Sequence, residues 1–145
     1  MKQVRIHGPG RVELDEIDVP EAGPRDAVVR VASCGICGTD VRYVRMGGMR
    51  RPMALGHELS GVVEAVGAEV TGLEPGMRVV LNPTAGGNMI GNGGDEGGFA
   101  PHLLVKNAAD GGCLFPVPDD LPMYLAALAE PLGVGMNAVN RADVT

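Results

Sequence analysis

The chain has 145 residues, 45% apolar and 21% charged, with a formal net charge of −6. That is enough for one domain of ordinary globular composition, burying roughly 70% of its unfolded surface. The acidic balance argues against nucleic-acid binding, which needs a basic stripe to displace counterions.

No apolar run approaches bilayer-spanning length, and Met1-Lys2-Gln3-Val4-Arg5 begins no apolar signal region. With an odd three cysteines, Cys34, Cys37 and Cys113, the expectation is a cytoplasmic protein with reduced thiols. Aromatics make up only 3%, so Val, Leu, Ala and Met are expected to fill the core. The 23 glycines and 11 prolines favour short strands over long helices.

In chain order, residues 3–6 and 11–19 read as opening strands, with Val12 and Leu14 alternating against charged neighbours. Pro20 to Pro24 breaks them. Asp26 to Ser33 is a β-branched strand running into Gly35-Ile36-Cys37-Gly38-Thr39-Asp40. A strand ending in a Gly-flanked cysteine presents that thiol at the sheet rim, on a turn able to approach a metal or substrate. Val41 to Met53 reads as a loop or short helix carrying Arg42, Arg45, Arg50 and Arg51. Leu59 to Val70 is a long strand, with Gly61 and Gly67 where a bend or bulge is cheap. A turn at residues 72–76 leads to a strand over 77–81. Asn82-Pro83-Thr84 fails as a glycosylation acceptor because of its proline.

Thr84 to Gly98 holds seven glycines without periodicity and reads as a mobile loop. Phe99 to Val105 is a further strand. Asp119-Asp120-Leu121-Pro122 opens a helix that runs to Glu130, acidic residues and proline suiting its first turn. Pro131 ends it and starts another, to about Asn140. The residues alone describe a small β-barrel with helices appended late.

Cys34 and Cys37 form a C-x-x-C pair, which fits a redox dithiol, half of a structural zinc site, or buried thiols. The redox reading needs a helix start directly after the motif and a βαβ context, and the pattern predicts neither. A structural site needs a second pair, which Cys113 lacks. About twenty residues on stands Gly56-His57-Glu58. A lone His-Glu pair is ordinarily surface chemistry, yet Cys, His and Glu together are the ligand set of a catalytic zinc with one open position.

The fuller pattern is G-H-E-x2-G-x5-G-x2-V, carried by Gly56, His57, Glu58, Gly61, Gly67 and Val70. With it stand Gly35 to Asp40, Pro52-Met53-Ala54-Leu55, Gly76-Met77-Arg78-Val79, Gly97-Gly98-Phe99-Ala100 and Ala129-Glu130-Pro131-Leu132. In these motifs the chain resembles the zinc-containing medium-chain alcohol dehydrogenases, nearest the polyol and threonine dehydrogenase branch. The resemblance implies a mainly β, GroES-like, partly open antiparallel β-barrel with short helices and a C-terminal connecting helix. It implies a catalytic domain over residues 1–128, with 129–145 starting the connection to a nucleotide-binding domain.

By the same resemblance, Cys37 and His57 are zinc ligands, and Glu58 or Glu130 supplies the third. A carboxylate can bind zinc or instead hold its water. Thr39 takes the alcohol's proton, Asp40 orients His57, and Cys34 packs. The implied activity is oxidation of a small alcohol or polyol, hydride passing to NAD or NADP, in an enzyme expected to be a homo-oligomer.

Three departures from the family pattern qualify this. The region between Asn82 and Gly98, where a four-cysteine zinc lobe falls in the family, has no cysteine, so one zinc and no structural zinc is expected. Arg42 stands where polyol-type members often carry a histidine that passes the proton onward. No G-x-G-x-x-G follows a strand, and no P-loop is present. A dinucleotide is therefore expected only in a longer enzyme, and this chain by itself is expected to be inactive.

The arginines at 42, 45, 50 and 51 read either as a solvated face or, for Arg42 and Arg45, as a handle for an anionic substrate. Two other readings stand beside the dehydrogenase: a GroES-like co-chaperonin-type binding module, and a zinc-free relative of the quinone reductases. Metal discriminates the first, since a chaperone module needs no Cys-His-Glu cluster, and retention of Cys37 and His57 argues against the second.

Overall fold

The computed structural model describes residues 1–142; the last three residues of the expected connecting segment lie outside the described residues. Strands dominate: β1 (Lys2–Gly8), β2 (Arg11–Glu16), β3 (Ala27–Gly35), β4 (Met53–Ala54), β5 (Glu58–Val66), β6 (Arg78–Leu81), β7 (His102–Val105) and β8 (Leu114–Pro116). Among the described residues three α-helices accompany them: α1 (Gly38–Met46), α2 (Met123–Ala126) and α3 (Ala129–Ala142). The strands form two antiparallel sheets, ordered β2-β1-β4 and β7-β3-β5-β6-β8, so the expected barrel is two open sheets and does not close.

The β-branched run of β3 pairs with β5 at the centre of the larger sheet. Its two bulges sit at Ala32 on β3 and Glu64 on β5, rather than at Gly61 or Gly67. Val29, Leu59, Val63, Val79, Leu103 and Val105 make the main core, and Ile6, Met53 and Leu55 a second, smaller one. Aliphatic side chains fill both. Methionine contributes less than expected: Met53 is fully buried, while Met46, Met49, Met89 and Met136 are exposed.

Three expectations shift. Val12 and Leu14 do alternate, but β2 is an edge strand and both are exposed. The helix expected from Asp119 begins at Met123, because Pro118 to Leu121 form a turn. Arg78 holds that turn, its guanidinium donating to the carbonyls of Pro118 at 2.8 Å, Asp119 and Leu121. The single helix expected to Glu130 is two, since α3 begins at Ala129 with Pro131 in its first turn, where a missing N–H is harmless.

The glycine-rich segment is irregular, as expected, but tied down. Asn88 is buried; its Nδ2 donates to the carbonyls of Ala85 at 2.7 Å and Lys106 at 2.8 Å, and its Oδ1 accepts the Lys106 amide at 3.1 Å. Glu96 accepts the Leu104 amide from the edge of β7 at 2.9 Å. Among the described residues, no helix is long and apolar enough to cross a membrane.

Candidate metal centre

Cys37 caps the N-terminus of α1, directly after β3. The sequence pattern had predicted no helix start there; Gly38 and Thr39 are weak helix formers, and the start is set instead by Asp40. From the third helical position its Oδ2 accepts the Cys37 amide at 2.9 Å. Its Oδ1 accepts the Gly56 amide at 3.1 Å. One buried carboxylate thus binds the cysteine turn to the histidine turn. The βαβ context of a redox dithiol is absent, because β3 lies in an antiparallel sheet.

Gly56 turns with φ near 90°, and a Cβ there would come 2.9 Å from Cys34 Sγ and from the Phe99 ring. That left-handed turn delivers His57, 4% exposed, to the Cys37 side. On β5, Glu58 stands opposite Gly35, whose missing side chain leaves room for the carboxylate: a Cβ on Gly35 would lie 2.5 Å from Glu58 Oε2. The donor atoms of Cys37, His57 and Glu58 all lie within 4.8 Å of one another.

Electrostatics reinforce the grouping. The Asp40 carboxylate, with Cys37 adding, holds the His57 imidazole up to about 9 against the lowering effect of burial. Burial alone would raise Asp40; His57 and the amides of Cys37 and Gly56 together hold its carboxyl below the usual range. Cys34 behaves differently: burial first, then the charges of Asp40 and Glu58, push its thiol up to about 12. It packs against the main core.

The donor set fits zinc. Ligands bonded at about 2.0–2.3 Å stand about 3.3–3.8 Å apart in a tetrahedron, so the three need close by only about 1 Å. His57 Nδ1 is buried without a hydrogen-bond partner, 3.6 Å from Asp40 Oδ1, which is longer than a hydrogen bond. Glu130, in the first turn of α3, lies outside the group of three. It faces the same region: burial raises its carboxyl, His57 opposes this, and Glu58 adds to it. Thr39 is half-buried at the second position of α1.

Glu130 also borders a cleft of about 760 Å³ whose other walls include Tyr43, Asn82, Thr84, Met89, Asn92 and Asn137. None of these neighbours carries a local sequence signal. Arg42 and Arg45 do not line it. Arg42 is exposed, and Arg45 borders an apolar groove of about 660 Å³ with Val4, Val12, Ile36, Val41 and Val44. Arg50 binds Asp95 at 2.5 Å, and Arg51 donates to Gly47 O at 3.0 Å.

A second group of three possible ligands, His7, Glu13 and Asp15, meets across the β1–β2 hairpin. It is internally satisfied as an ion-pair network. His7 Nε2 lies 2.9 Å from Asp15 Oδ1, Arg5 pairs with Asp15 at 3.8 Å, and Arg11 with Glu13 at 2.6 Å.

Comparison with known proteins shows the family of the chain. Residues 23–119 match the family described as "Alcohol dehydrogenase GroES-like domain". Sorbitol dehydrogenase of Homo sapiens is 35% identical over 162 aligned positions, covering 97% of this chain and 44% of its own length. Galactitol-1-phosphate dehydrogenase from Escherichia coli superposes with a TM-score of 0.82 at 31% identity, covering 99% of this chain and 45% of that one. 2R,3R-butanediol dehydrogenase from Bacillus subtilis gives a TM-score of 0.84 at 30% identity, with 96% of this chain and 46% of that one covered. The chain spans less than half the length of these relatives.

Proposed function

The chain belongs to the alcohol dehydrogenase GroES-like domain family, and on that premise we propose that it is the metal-holding catalytic part of an NAD(P)-linked oxidoreductase of small alcohols or polyols. The observation that carries the reading is the convergence of Cys37, His57 and Glu58 on one point. In it, residues 1–128 form the catalytic domain and α3 begins the connection onward, in a cytoplasmic enzyme whose three cysteines stay free.

Zinc bound there would polarise an alcohol oxygen, and a nicotinamide would accept the hydride. The chain's own residues do the rest. Cys37, His57 and Glu58 hold the ion, Glu58 preferred to Glu130 because it stands within the group of three. The Asp40 carboxylate, 3.6 Å from His57 Nδ1, favours a proton on that nitrogen and leaves Nε2 to face the ion. Thr39, two residues beyond Cys37, takes the substrate's proton. Glu130 steadies water or substrate from the cleft side. The glycine-rich segment substitutes hydrogen bonds for a second zinc, so one ion per chain is expected.

Elemental analysis of freshly purified protein tests the reading, beside a Cys37→Ser variant. About one zinc per chain that falls away in the variant supports it. Equal zinc in both removes Cys37 from the site and the reading with it. The relatives' names span a neutral polyol and a phosphorylated one, so substrate charge is the axis left to this chain's own cleft.

A further inference from the structure

We propose that the cleft bordered by Glu130 selects uncharged polyols against the same compounds carrying a phosphate or carboxylate. This deepens the dehydrogenase reading and rests on it. The cleft, about 760 Å³, is of small-molecule size. Its polar walls come from Tyr43, Asn82, Thr84, Asn92 and Asn137, uncharged amides and hydroxyls that both donate and accept. A row of vicinal hydroxyls needs that mixture, because each hydroxyl is itself donor and acceptor.

Asn82 is already oriented for the task. Its Oδ1 accepts the Thr84 amide and hydroxyl, each at 3.1 Å, which turns the Nδ2 donor free of that turn. Glu130 is the one charged residue among the lining groups, and its sign is negative. A phosphate or carboxylate entering the cleft meets a like charge and no counter-charge there, in a region partly shielded from water.

The four arginines of residues 42–51 are placed outside the cleft. Arg42 is exposed outside the cleft and Arg45 borders the apolar groove. Arg50 is taken by Asp95 and Arg51 by the Gly47 carbonyl. The arginine-rich stretch is therefore a solvated and internally paired face, not an anion handle.

The test uses the isotope-labelled 145-residue chain, zinc-loaded, followed by NMR of the Asn82, Asn92 and Asn137 side-chain amides. Sorbitol should shift these signals, and sorbitol 6-phosphate and gluconate should bind at least tenfold more weakly at the same ionic strength. Glu130→Gln should narrow that gap by strengthening the two anions. Anions binding as tightly as sorbitol, or a gap that Glu130→Gln leaves unchanged, overturns the proposal. Absence of any sorbitol response in a chain that holds zinc also overturns it, while the metal reading survives. A chain that takes up no zinc at Cys37 fails the dehydrogenase reading itself.

Discussion

Gly35 faces Glu58 across the β3–β5 register, and a methyl group on Gly35 would come 2.5 Å from the Glu58 carboxylate oxygen. The glycine is thus part of how the carboxylate reaches the thiol and the imidazole. Gly35→Ala should push Glu58 aside while leaving β3 paired, and weaken zinc retention by about 10–100-fold, the usual effect of disturbing a ligand's support. Competition against a chromophoric chelator measures it. Unchanged affinity would remove Glu58 from the ligand set.

Asp40 gives the pH behaviour. In the chelated chain, His57 is raised from 6.5 to about 9, chiefly by Asp40. Its contribution to stability is then complete below about pH 6.5 and fades as pH climbs through about 9. Zinc must displace the same proton, so its apparent affinity should rise by about tenfold per pH unit up to that value. NMR titration of the imidazole in chelated protein reads the midpoint directly, and Asp40→Asn should lower it. A midpoint near 6.5 in the unsubstituted chain contradicts the assignment.

Asn88→Ala removes the partners of the Lys106 amide and of the Ala85 and Lys106 carbonyls. Buried groups left unpaired cost about 1–3 kcal/mol. Urea unfolding should show a loss of that order, with faster hydrogen exchange at the Gly91 and Gly94 amides, which are bonded within the same segment. Zinc stoichiometry should not change, because Asn88 touches no residue of the metal group.

Arg78→Lys keeps the charge but loses the fork that gathers the carbonyls of Pro118, Asp119 and Leu121. A destabilisation of about 1–2 kcal/mol is expected in thermal or denaturant unfolding, given the exposure of those bonds. Fluorescence of a probe placed on α3 should report a looser approach to the cleft. Lysine restoring full stability would show that charge alone suffices.

The grouping of Cys37, His57 and Glu58 is legible in local pattern, because Cys37 and His57-Glu58 each sit beside glycines at strand ends, where side chains are presented at a sheet rim. What it missed depends on partners far along the chain. The start of α1 is decided by Asp40 and not by the helix preference of Gly38 or Thr39, so the helix cap at Cys37 was invisible. Val12 and Leu14 alternate like a half-buried strand, and only sheet order reveals that their strand is an edge. The glycines of residues 84–98 read as looseness, whereas one asparagine and one glutamate bind that segment to β7 and its flank.

That binding runs through a carboxamide, a carboxylate and main-chain hydrogen bonds. Stripping divalent metals from the sample should therefore abolish whatever depends on the thiolate site and leave the wall holding Met89 and Asn92 standing. A dialysed preparation becomes a matched blank for every ligand titration, differing from the loaded one in chemistry and not in shape.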